Sequence, residues 1–218
     1  MTDQQIVGHD DWITARGRFP ARKKGFRRLR EELSRERREL PWECVKKEYV
    51  FEGENGRETL AHLFGGRSQL IVYHFMYEPD WEIGCSLWAD NFNGIIPHLN
   101  ERDMSLVVTS RAPLEKLQAE AKRFGWTFKW VSCVGNDFNL DFNVWFAPET
   151  LARGEAVYNY GSQRVTGPSS PGISAFFKDD GQVFHTYSTH ARGLFDLLPG
   201  GGAEWPLTAK TPAWCASR

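Results

Sequence analysis

The stretch Gln69-Leu-Ile-Val-Tyr-His-Phe-Met76 decides the fold, because nearly every residue in it is apolar and prone to form β-structure. This composition is typical of a central strand that is covered on both faces of its sheet. A second stretch of the same kind is Met104–Ser110, and helical patterns over Ser86–Ile96 and Pro113–Phe124 follow the two strands. This order predicts a parallel pair of strands joined by a right-handed crossover.

A β-hairpin is predicted further along the chain. Asp179-Asp180-Gly181 is a turn signal, and it lies between the apolar runs Ile173–Phe177 and Gln182–Tyr187. The remaining predicted elements are strands over Glu48–Glu52, Trp126–Ser132 and Ala156–Tyr160, and a closing helix over Ala191–Leu198. The chain therefore has the order βαβα, then an antiparallel hairpin, then a helix. We expect a mixed sheet with helices on its faces.

The N-terminal part of the chain is a separate extension. A helix is predicted over Ala21–Leu40, with a net charge of about +5 from its interleaved arginines, lysines and glutamates. Its narrow apolar stripe consists of Phe26, Leu29, Leu33 and Leu40. The interleaved charges favour a solvated helix docked by this stripe, or an arm that forms a homodimer, over a nucleic-acid or acidic-lipid surface. The predicted organisation is an extension over 1–40, a domain over 41–199 and a tail over 200–218.

The composition narrows the class of protein. The 218 residues are 41% hydrophobic and 25% charged, with a net charge of −1, which is ordinary for a globular chain. There is no apolar run of membrane-spanning length and no secretory signal pattern, so a cytoplasmic location without membrane contact is expected. No phosphate-binding loop or dinucleotide fingerprint occurs, and the cysteines have no metal-ligand spacing. We therefore expect neither a cofactor nor a metal ion.

Cys85 is the residue with the clearest chemical potential. It follows a buried strand and begins a helix, where backbone N–H groups and the aligned peptide dipoles favour a thiolate. Three acidic residues that precede it act against the thiolate: Glu78, Asp80 and Glu82. A reactive Cys85 therefore needs a cation from elsewhere, such as Arg111 or Arg192. The alternative is a small buried thiol that only packs.

Other residues are candidates for supporting roles. Cys133 follows the predicted strand Trp126–Ser132 and is either a resolving partner of Cys85 or a buried thiol. His74, His185 and His190 are either bases for Cys85 or histidines satisfied by structural hydrogen bonds. The residues predicted to line a cleft are Tyr73, Trp81, Trp88, Tyr187 and His185.

The segment His74–Cys85 resembles the strand and active-site loop of peroxiredoxins. More specifically, the chain is similar to a thioredoxin-like family catalogued as domain of unknown function 899. The similar pieces are Leu40-Pro41-Trp42, Tyr49–Gly53, Gln69–Met76, Trp88–Phe92, Ser110–Pro113 and Phe184–Thr189. The resemblance implies an α/β fold of the thioredoxin-like kind, a three-layer α/β/α sandwich with a central mixed β-sheet and an N-terminal helical extension. It also implies a cis-proline at Pro171, facing Cys85.

The chain departs from both patterns at the reactive motif. Members of the family usually carry Gly-Cys-x-x-Cys-Ser, whereas this chain has Gly84-Cys85-Ser86-Leu87-Trp88 and lacks the second cysteine. Peroxiredoxins place a threonine three residues before the reactive cysteine, where this chain has Glu82. We therefore expect a single-thiol oxidoreductase, or a degenerate form of one, whose partner is a small thiol or a protein disulfide. The alternative is a non-catalytic module of the same fold that binds a ligand or a protein.

Overall fold

The computed structural model describes residues 5–165, 167–191 and 193–194. The chain divides into two units, Met1–Leu40 and Pro41–Arg218, and each is described by itself. The predicted tail 200–218 lies outside the described residues, as do most of the predicted closing helix and Arg192.

The first unit is one long helix, α1 (His9–Arg38), which is longer than the helix predicted from Ala21. The prediction placed the start at Ala21, whereas α1 begins at His9 and continues through Pro20, a residue that normally interrupts a helix. The charges suit the longer helix. Acidic Asp10 and Asp11 lie in its first turn and basic residues lie in its last, which stabilises the two ends of the helix dipole.

The second unit contains ten strands and five α-helices within its described residues. Its strands are β1 (Glu43–Cys44), β2 (Val50–Gly53), β3 (Gly56–Thr59), β4 (Gln69–His74), β5 (Met104–Ser110), β6 (Lys129–Ser132), β7 (Val157–Tyr158), β8 (Gln163–Arg164), β9 (Gly172–Asp179) and β10 (Gln182–His190). Its helices are α2 (Ser86–Ala89), α3 (Ile96–Asn100), α4 (Leu114–Phe124), α5 (Phe138–Asp141) and α6 (Pro148–Ala152), with 3-10 turns at His62–Phe64 and Asp90–Phe92.

Eight strands form one mixed sheet in the order β1-β10-β9-β4-β5-β6-β2-β3. The pairs β4–β5 and β5–β6 are parallel, and all other neighbours in this sheet are antiparallel. At the centre, Tyr73 pairs with Val108 on one side and with Ile173 on the other. The predicted parallel pair and the predicted β9–β10 hairpin are both confirmed.

Two large core clusters lie one on each face of the sheet, and a smaller third cluster contains Phe146, Ala156 and Tyr158. The alternation of β4 sends Tyr73 into a first cluster with Phe75 and Trp88, and sends Val72 into a second cluster with Phe138. Tyr73 and Val72 are fully buried, which is the environment that the apolar composition of β4 predicts. Because the faces are separate, the face on which a candidate residue lies decides which other candidates it can meet.

The fold-class prediction is confirmed. The order β5-β4-β9-β10, with a parallel pair joined by a helical crossover and followed by an antiparallel hairpin, is the strand arrangement of a thioredoxin-like fold. Helices pack on both faces of this mixed sheet, so the architecture is a three-layer α/β/α sandwich. None of the helices in the described ranges is both long enough and apolar enough to cross a membrane.

The helix predicted over Ser86–Ile96 is broken into short pieces, which corrects the prediction. The α2 helix is a single turn, a 3-10 turn follows it, and α3 begins afresh at Ile96. Gly94 adopts a φ of 109° between the pieces, and Pro97 lies in the first turn of α3, where its missing N–H costs nothing. The apolar spacing persists across the break because every piece packs on the same face.

Candidate active site around Cys85

Cys85 lies where the chain returns to the sheet after β4. It occupies the N-cap position of α2, and its side chain is half-buried. Its backbone N–H donates to the carbonyl oxygen of Met76 at 3.1 Å, which closes the intervening loop. The thiol is outside any disulfide, and the loop holds it at the carboxyl end of a central strand, where sites usually form in open α/β sheets.

Gly84 fixes the approach of this loop to the core. A Cβ atom at Gly84 would lie 2.4 Å from Cε1 and 2.5 Å from Cζ of Phe75, far closer than real contacts allow. Phe75 is 2% exposed and packs at 5.1 Å between ring centroids against Trp130, so it has little room to move. The residue before Cys85 therefore has to be glycine for the loop to pack as it does.

Lys116 of α4 holds the same loop from the other side. Its ammonium donates to the carbonyl oxygens of Glu78 at 3.4 Å, of Pro79 at 3.0 Å and of Trp81 at a shorter distance. It also lies 4.4 Å from the ring centroid of Tyr77. A cation that satisfies three carbonyl groups in this way gives an irregular loop a defined shape. The sequence offered no sign of this role, because Lys116 fits the pattern of an ordinary solvated position in an amphipathic helix.

The Tyr73 hydroxyl is a polar group on which Cys85 acts electrostatically. Tyr73 is fully buried, and in the described residues its hydroxyl has no hydrogen-bond partner. Burial raises the pKa of Tyr73 well above 10, and the negative charge of a Cys85 thiolate raises this pKa further. The hydroxyl therefore stays protonated near neutral pH and is available as a donor to a negative sulfur. Tyr73 was predicted as a cleft residue.

The other predicted aromatic residues of this face are placed as follows. Trp88, in α2, is 8% exposed and belongs to the first cluster, and Trp81 packs against that cluster with its side chain half-buried. Tyr187 pairs with Ala175 across the β9–β10 hairpin, on the face away from Ser174. Trp81 and Trp88 therefore contribute to packing on the first face.

The short length of α2 changes the electrostatic argument for Cys85. The predicted helix had about three turns, whereas α2 has four residues, so fewer aligned peptide dipoles act on the thiol. One of the three acidic residues predicted to oppose a Cys85 thiolate is paired with a cation, however. Glu78 is 6% exposed, and its Oε2 lies 3.5 Å from Nε of Arg111. Ser169 donates its hydroxyl proton to the other carboxylate oxygen of Glu78.

Arg111 is held in this cluster by more than the ion pair. Its guanidinium lies over the Trp145 ring at 3.9 Å from the centroid, and its charge acts on the Cys133 thiol. Arg111 therefore interacts with Glu78, Trp145 and Cys133. These contacts do not support the prediction that Arg111 is the cation that stabilises a Cys85 thiolate.

Cys133 lies in the second cluster, whereas Tyr73 and the α2 helix belong to the first. It is fully buried, and burial raises the pKa of its thiol to about 12 in spite of a hydrogen bond with Thr109 that lowers it. A thiol in this state is protonated and out of reach of solvent at neutral pH. The structure therefore favours the buried-thiol interpretation of Cys133 over the resolving one.

His74 also faces away from Tyr73, because adjacent residues of a strand point to opposite faces. Its Nδ1 lies 2.9 Å from Oδ1 of Asn139 and its Nε2 lies 2.9 Å from Oγ of Ser174. Complete burial lowers the pKa of His74 to about 3, so the ring is neutral. Both ring nitrogens are satisfied within the core, which favours the structural interpretation over a base for Cys85.

His185 lies at the other end of the same hydrogen-bond chain. Ser174 bonds to Ser188 at 2.8 Å, and Ser188 bonds to Nε2 of His185 at 2.7 Å. Burial lowers the pKa of His185, although the nearby carboxylate of Glu43, 3.8 Å from Nδ1, raises it in part. His185 therefore belongs to a polar network on the second face.

This network ends at a cleft with a volume of about 670 Å³. Its lining residues are Glu43, Cys44, Val45, Lys46, Lys47, Tyr49, Asp141, Phe142, Asn143, Tyr160, His185, Ser188 and His190. Sequence reasoning found His185 and His190 but missed Ser188 and Tyr160. The connection of Ser188 to Ser174 exists only once β9 and β10 pair. Across the described ranges, no group of three or more His, Cys, Asp or Glu side chains is placed to hold a metal ion.

The Ser170–Pro171 bond is trans, since the described residues contain no cis peptide bond, and this corrects the expectation that the resemblance implied. Neighbouring contacts hold this segment extended. Ser170 donates its N–H to the carbonyl oxygen of Val144 at 2.9 Å, and Ser169 forms an isolated bridge with Trp145. The carbonyl oxygen of Pro171 accepts a hydrogen bond from the Tyr158 hydroxyl.

These features define a thioredoxin-like protein with one half-buried thiol at the carboxyl end of a central strand. The chain belongs to the family described as "Bacterial protein of unknown function (DUF899)", which matches residues 1–201. The family named from the resemblance is thus confirmed. A search of curated proteins found no match.

The chain is also similar to several solved peroxiredoxin structures. Peroxidoxin BcpB from Mycobacterium tuberculosis is 14% identical, with 69% of this chain and 85% of that chain covered and a TM-score of 0.49. Peroxiredoxin Q from Xanthomonas campestris is 19% identical, with 68% and 87% covered and a TM-score of 0.44. A peroxiredoxin-like protein from Aquifex aeolicus is 12% identical, with 70% and 77% covered and a TM-score of 0.46.

Proposed function

We propose that this protein is a thiol-dependent oxidoreductase that acts through Cys85 alone. The observation that carries the proposal is that the half-buried Cys85 acts electrostatically on the buried hydroxyl of Tyr73, which is protonated and has no hydrogen-bond partner in the described residues. A buried hydroxyl without a partner costs free energy, and a thiolate that accepts a hydrogen bond from it removes that cost. The pairing therefore favours the negative form of the sulfur, which is the nucleophile.

The reaction is thiol–disulfide exchange with a small or protein disulfide. The Cys85 thiolate attacks one sulfur of the substrate disulfide, so that a mixed disulfide forms and the other sulfur leaves as a thiolate. An external thiolate then attacks the substrate sulfur of the mixed disulfide, forms a new disulfide with it and releases the Cys85 thiolate. The two steps are balanced, because one disulfide and one thiol are consumed and one of each is produced.

Resolution by an external thiol follows from where Cys133 lies and from the sequence of the motif. Cys133 is buried in the second cluster, and the motif has no second cysteine near Cys85. A single nucleophilic thiol of this kind needs a pool of reduced thiols, which the cytoplasm supplies, so we place the reaction there. Glu82 stands where a peroxidase would need a hydroxyl, and this favours disulfide over peroxide as the oxidant.

A second candidate function is a non-catalytic binding module of the same fold. The cleft on the second face favours it, because about 670 Å³ is ample for a small molecule and Phe142 and Tyr160 supply aromatic walls. In this alternative Cys85 only packs, and the polar network through Ser188 and His185 orients a ligand. The two functions use different faces, so the reactivity of Cys85 distinguishes them.

The test is the pH dependence of iodoacetamide alkylation at each cysteine, read by mass spectrometry. Cys85 is expected to react fastest, with a midpoint below the free-thiol value of about 8.5, and to form a mixed disulfide with oxidised glutathione. Cys85→Ser should abolish the mixed disulfide, whereas Cys44→Ser, at an exposed site, should leave it intact. If Cys85 reacts no faster than Cys44, or only on unfolding, the proposed catalysis is wrong and the binding module is favoured.

Tyr73→Phe tests the role of the hydroxyl while it keeps the ring that packs in the core. We expect the alkylation rate of Cys85 at pH 7 to fall about tenfold, because one hydrogen bond to a charged group is lost. The midpoint of the rate–pH profile should move upward by about one pH unit. An unchanged profile in a folded variant would show that Tyr73 only packs.

A further inference from the structure

One wall of the cleft on the second face depends on an irregularity in β10. Residues three apart in a regular strand point to opposite faces of the sheet. In β10 the register with β9 shifts between His185 and Tyr187, so that His185, Ser188 and His190 all line the cleft. The shift therefore places two imidazole rings and a serine hydroxyl in one wall.

The hydrogen bonds behind this wall fix where the proton of His185 lies. They run from Asn139 through His74, Ser174 and Ser188 to His185. Oδ1 of Asn139 only accepts, so the neutral ring of His74 carries its proton on Nδ1 and its Nε2 accepts from Ser174. Ser174 has only one proton to donate, so Ser188 donates to Ser174, and Nε2 of His185 donates to Ser188.

The Nδ1 atom of His185 therefore carries a lone pair that faces a carboxylate. Burial lowers the pKa of His185, so its ring is neutral near pH 7.5. Nδ1 lies 3.8 Å from Oε2 of Glu43, which is too far for a hydrogen bond, and both atoms are acceptors. A hydroxyl has one proton and satisfies only one of them, whereas an ammonium group has three and also brings a positive charge to Glu43.

His190 adds a third acceptor to the same wall. Burial lowers the pKa of His190, so this ring is also neutral. Its Nε2 lies 3.4 Å from the carbonyl oxygen of Phe142, which only accepts, so the proton is on Nε2 and the lone pair is on Nδ1. His190 is 3% exposed, and its Nδ1 has no hydrogen-bond partner in the described part of the chain. A buried acceptor without a donor costs free energy, which a ligand with several N–H groups can offset.

The other charges in the cleft leave Glu43 to a ligand. Lys47 donates to Asp141 at 2.7 Å, so its charge is already compensated. Within the ranges that the structure describes, the ion pair of Glu43 is with His185 and not with a lysine or an arginine. Phe142 and Tyr160 also line the cleft, and an ammonium group is attracted to the face of an aromatic ring.

We propose that this cleft binds a small organic amine, whose ammonium group lies between His185 and Glu43. The apolar body of the amine packs against Phe142 and Tyr160, and a volume of about 670 Å³ is large enough for an aromatic amine. The cleft is the one that the binding-module alternative uses, but the amine binds whether or not Cys85 is reactive.

Calorimetric titration of the full chain at about pH 7.5 tests the class of ligand. The probes are phenethylamine, phenethyl alcohol and hydrocinnamate, which share a phenylalkyl body and differ in the polar group. We expect the amine to bind at least about tenfold more tightly than the alcohol, because hydrogen bonds between charged groups are the stronger ones. If hydrocinnamate binds most tightly, Lys46 selects the ligand instead, and the proposal is wrong. Equal binding of amine and alcohol, or no binding of any probe, also overturns it.

Substitutions locate the amine within the chain. Glu43→Gln should weaken phenethylamine by about tenfold and leave phenethyl alcohol unchanged, whereas Glu48→Gln removes the same charge outside this cleft and should change neither. Cys85→Ser should bind the amine as wild type does, because α2 packs on the other face of the sheet. A chain with a reactive Cys85 that binds no amine would overturn this proposal alone.

Nitrogen NMR spectra of the labelled chain test the proton positions directly, because the two ring nitrogens of a neutral histidine differ in protonation. We expect the proton on Nε2 in His185 and His190, and on Nδ1 in His74, with the signals assigned from His185→Gln, His190→Gln and His74→Gln. A His185 ring with its proton on Nδ1 would itself donate toward Glu43. The acceptor pair that the amine bridges would then not exist, and the proposal would be wrong.

Discussion

Acidification from about pH 7.5 to pH 5 is expected to lower the free energy of unfolding by about 2 kcal/mol through His74 alone. Burial lowers the pKa of His74 to about 3, whereas in the unfolded chain it is about 6.5. Between these two pKa values the unfolded state therefore binds a proton at His74 and the folded state does not. The stabilisation is complete above pH 6.5 and is lost as the pH falls from there toward 3. His185 and His190, whose pKa values burial also lowers, act in the same direction.

Urea unfolding at several pH values measures this effect. In His74→Gln, the loss in the free energy of unfolding between pH 7.5 and 5 should be smaller than in wild type by about 2 kcal/mol. His98→Gln, at an exposed position, should lose as much as wild type does. The NMR titration of wild type supplies a second readout, in which the His74 ring should not titrate above about pH 4. A His74 resonance that titrates near pH 6 in the folded protein would show that the ring is not held neutral.

The sequence was sufficient to predict the central strands of the sheet and the hairpin beside them. Buried parallel strands such as β4 and β5 are continuous apolar runs, and the hairpin turn at Asp180-Gly181 has a strong local signal. The break in the helix after Ala89 was missed because all its pieces keep their apolar residues on one face. Periodicity reports which face is buried, and it is insensitive to a change from α to 3-10 geometry.

The candidate site was predicted only in part, and the reason is geometric. Cys85 could be recognised because its position after a strand is a local property. Whether His74 or Cys133 could reach it depended on the alternation of β4 and on the register of β6, which send both residues to the second face. The one-residue step from Tyr73 to His74 reverses the face, so a correct list of polar residues still mixed two separate environments.

Replacing Gly84 by alanine is expected to lower the free energy of unfolding by about 2 kcal/mol and to displace the loop that carries Cys85. The new Cβ would lie 2.4 Å from Cε1 of Phe75, so either the buried ring or the loop has to shift. Since Phe75 packs against Tyr77, Trp126 and Trp130, the loop is the part that yields. The alkylation rate of Cys85 should then change together with stability.

A double-mutant cycle with Phe75→Leu separates this clash from a general effect of alanine, because leucine lacks the ring atoms Cε1 and Cζ. Gly84→Ala should cost at least about 1 kcal/mol less in the Phe75→Leu background than in wild type. Gly167→Ala is the matched control, since a Cβ there meets no atom within 4 Å and should change stability by less than about 0.5 kcal/mol. Equal costs in the two backgrounds would show that Phe75 is not what requires glycine beside Cys85. A selective rescue would mean that the packing of a buried ring, rather than the four-residue α2 helix, sets the position of the thiol.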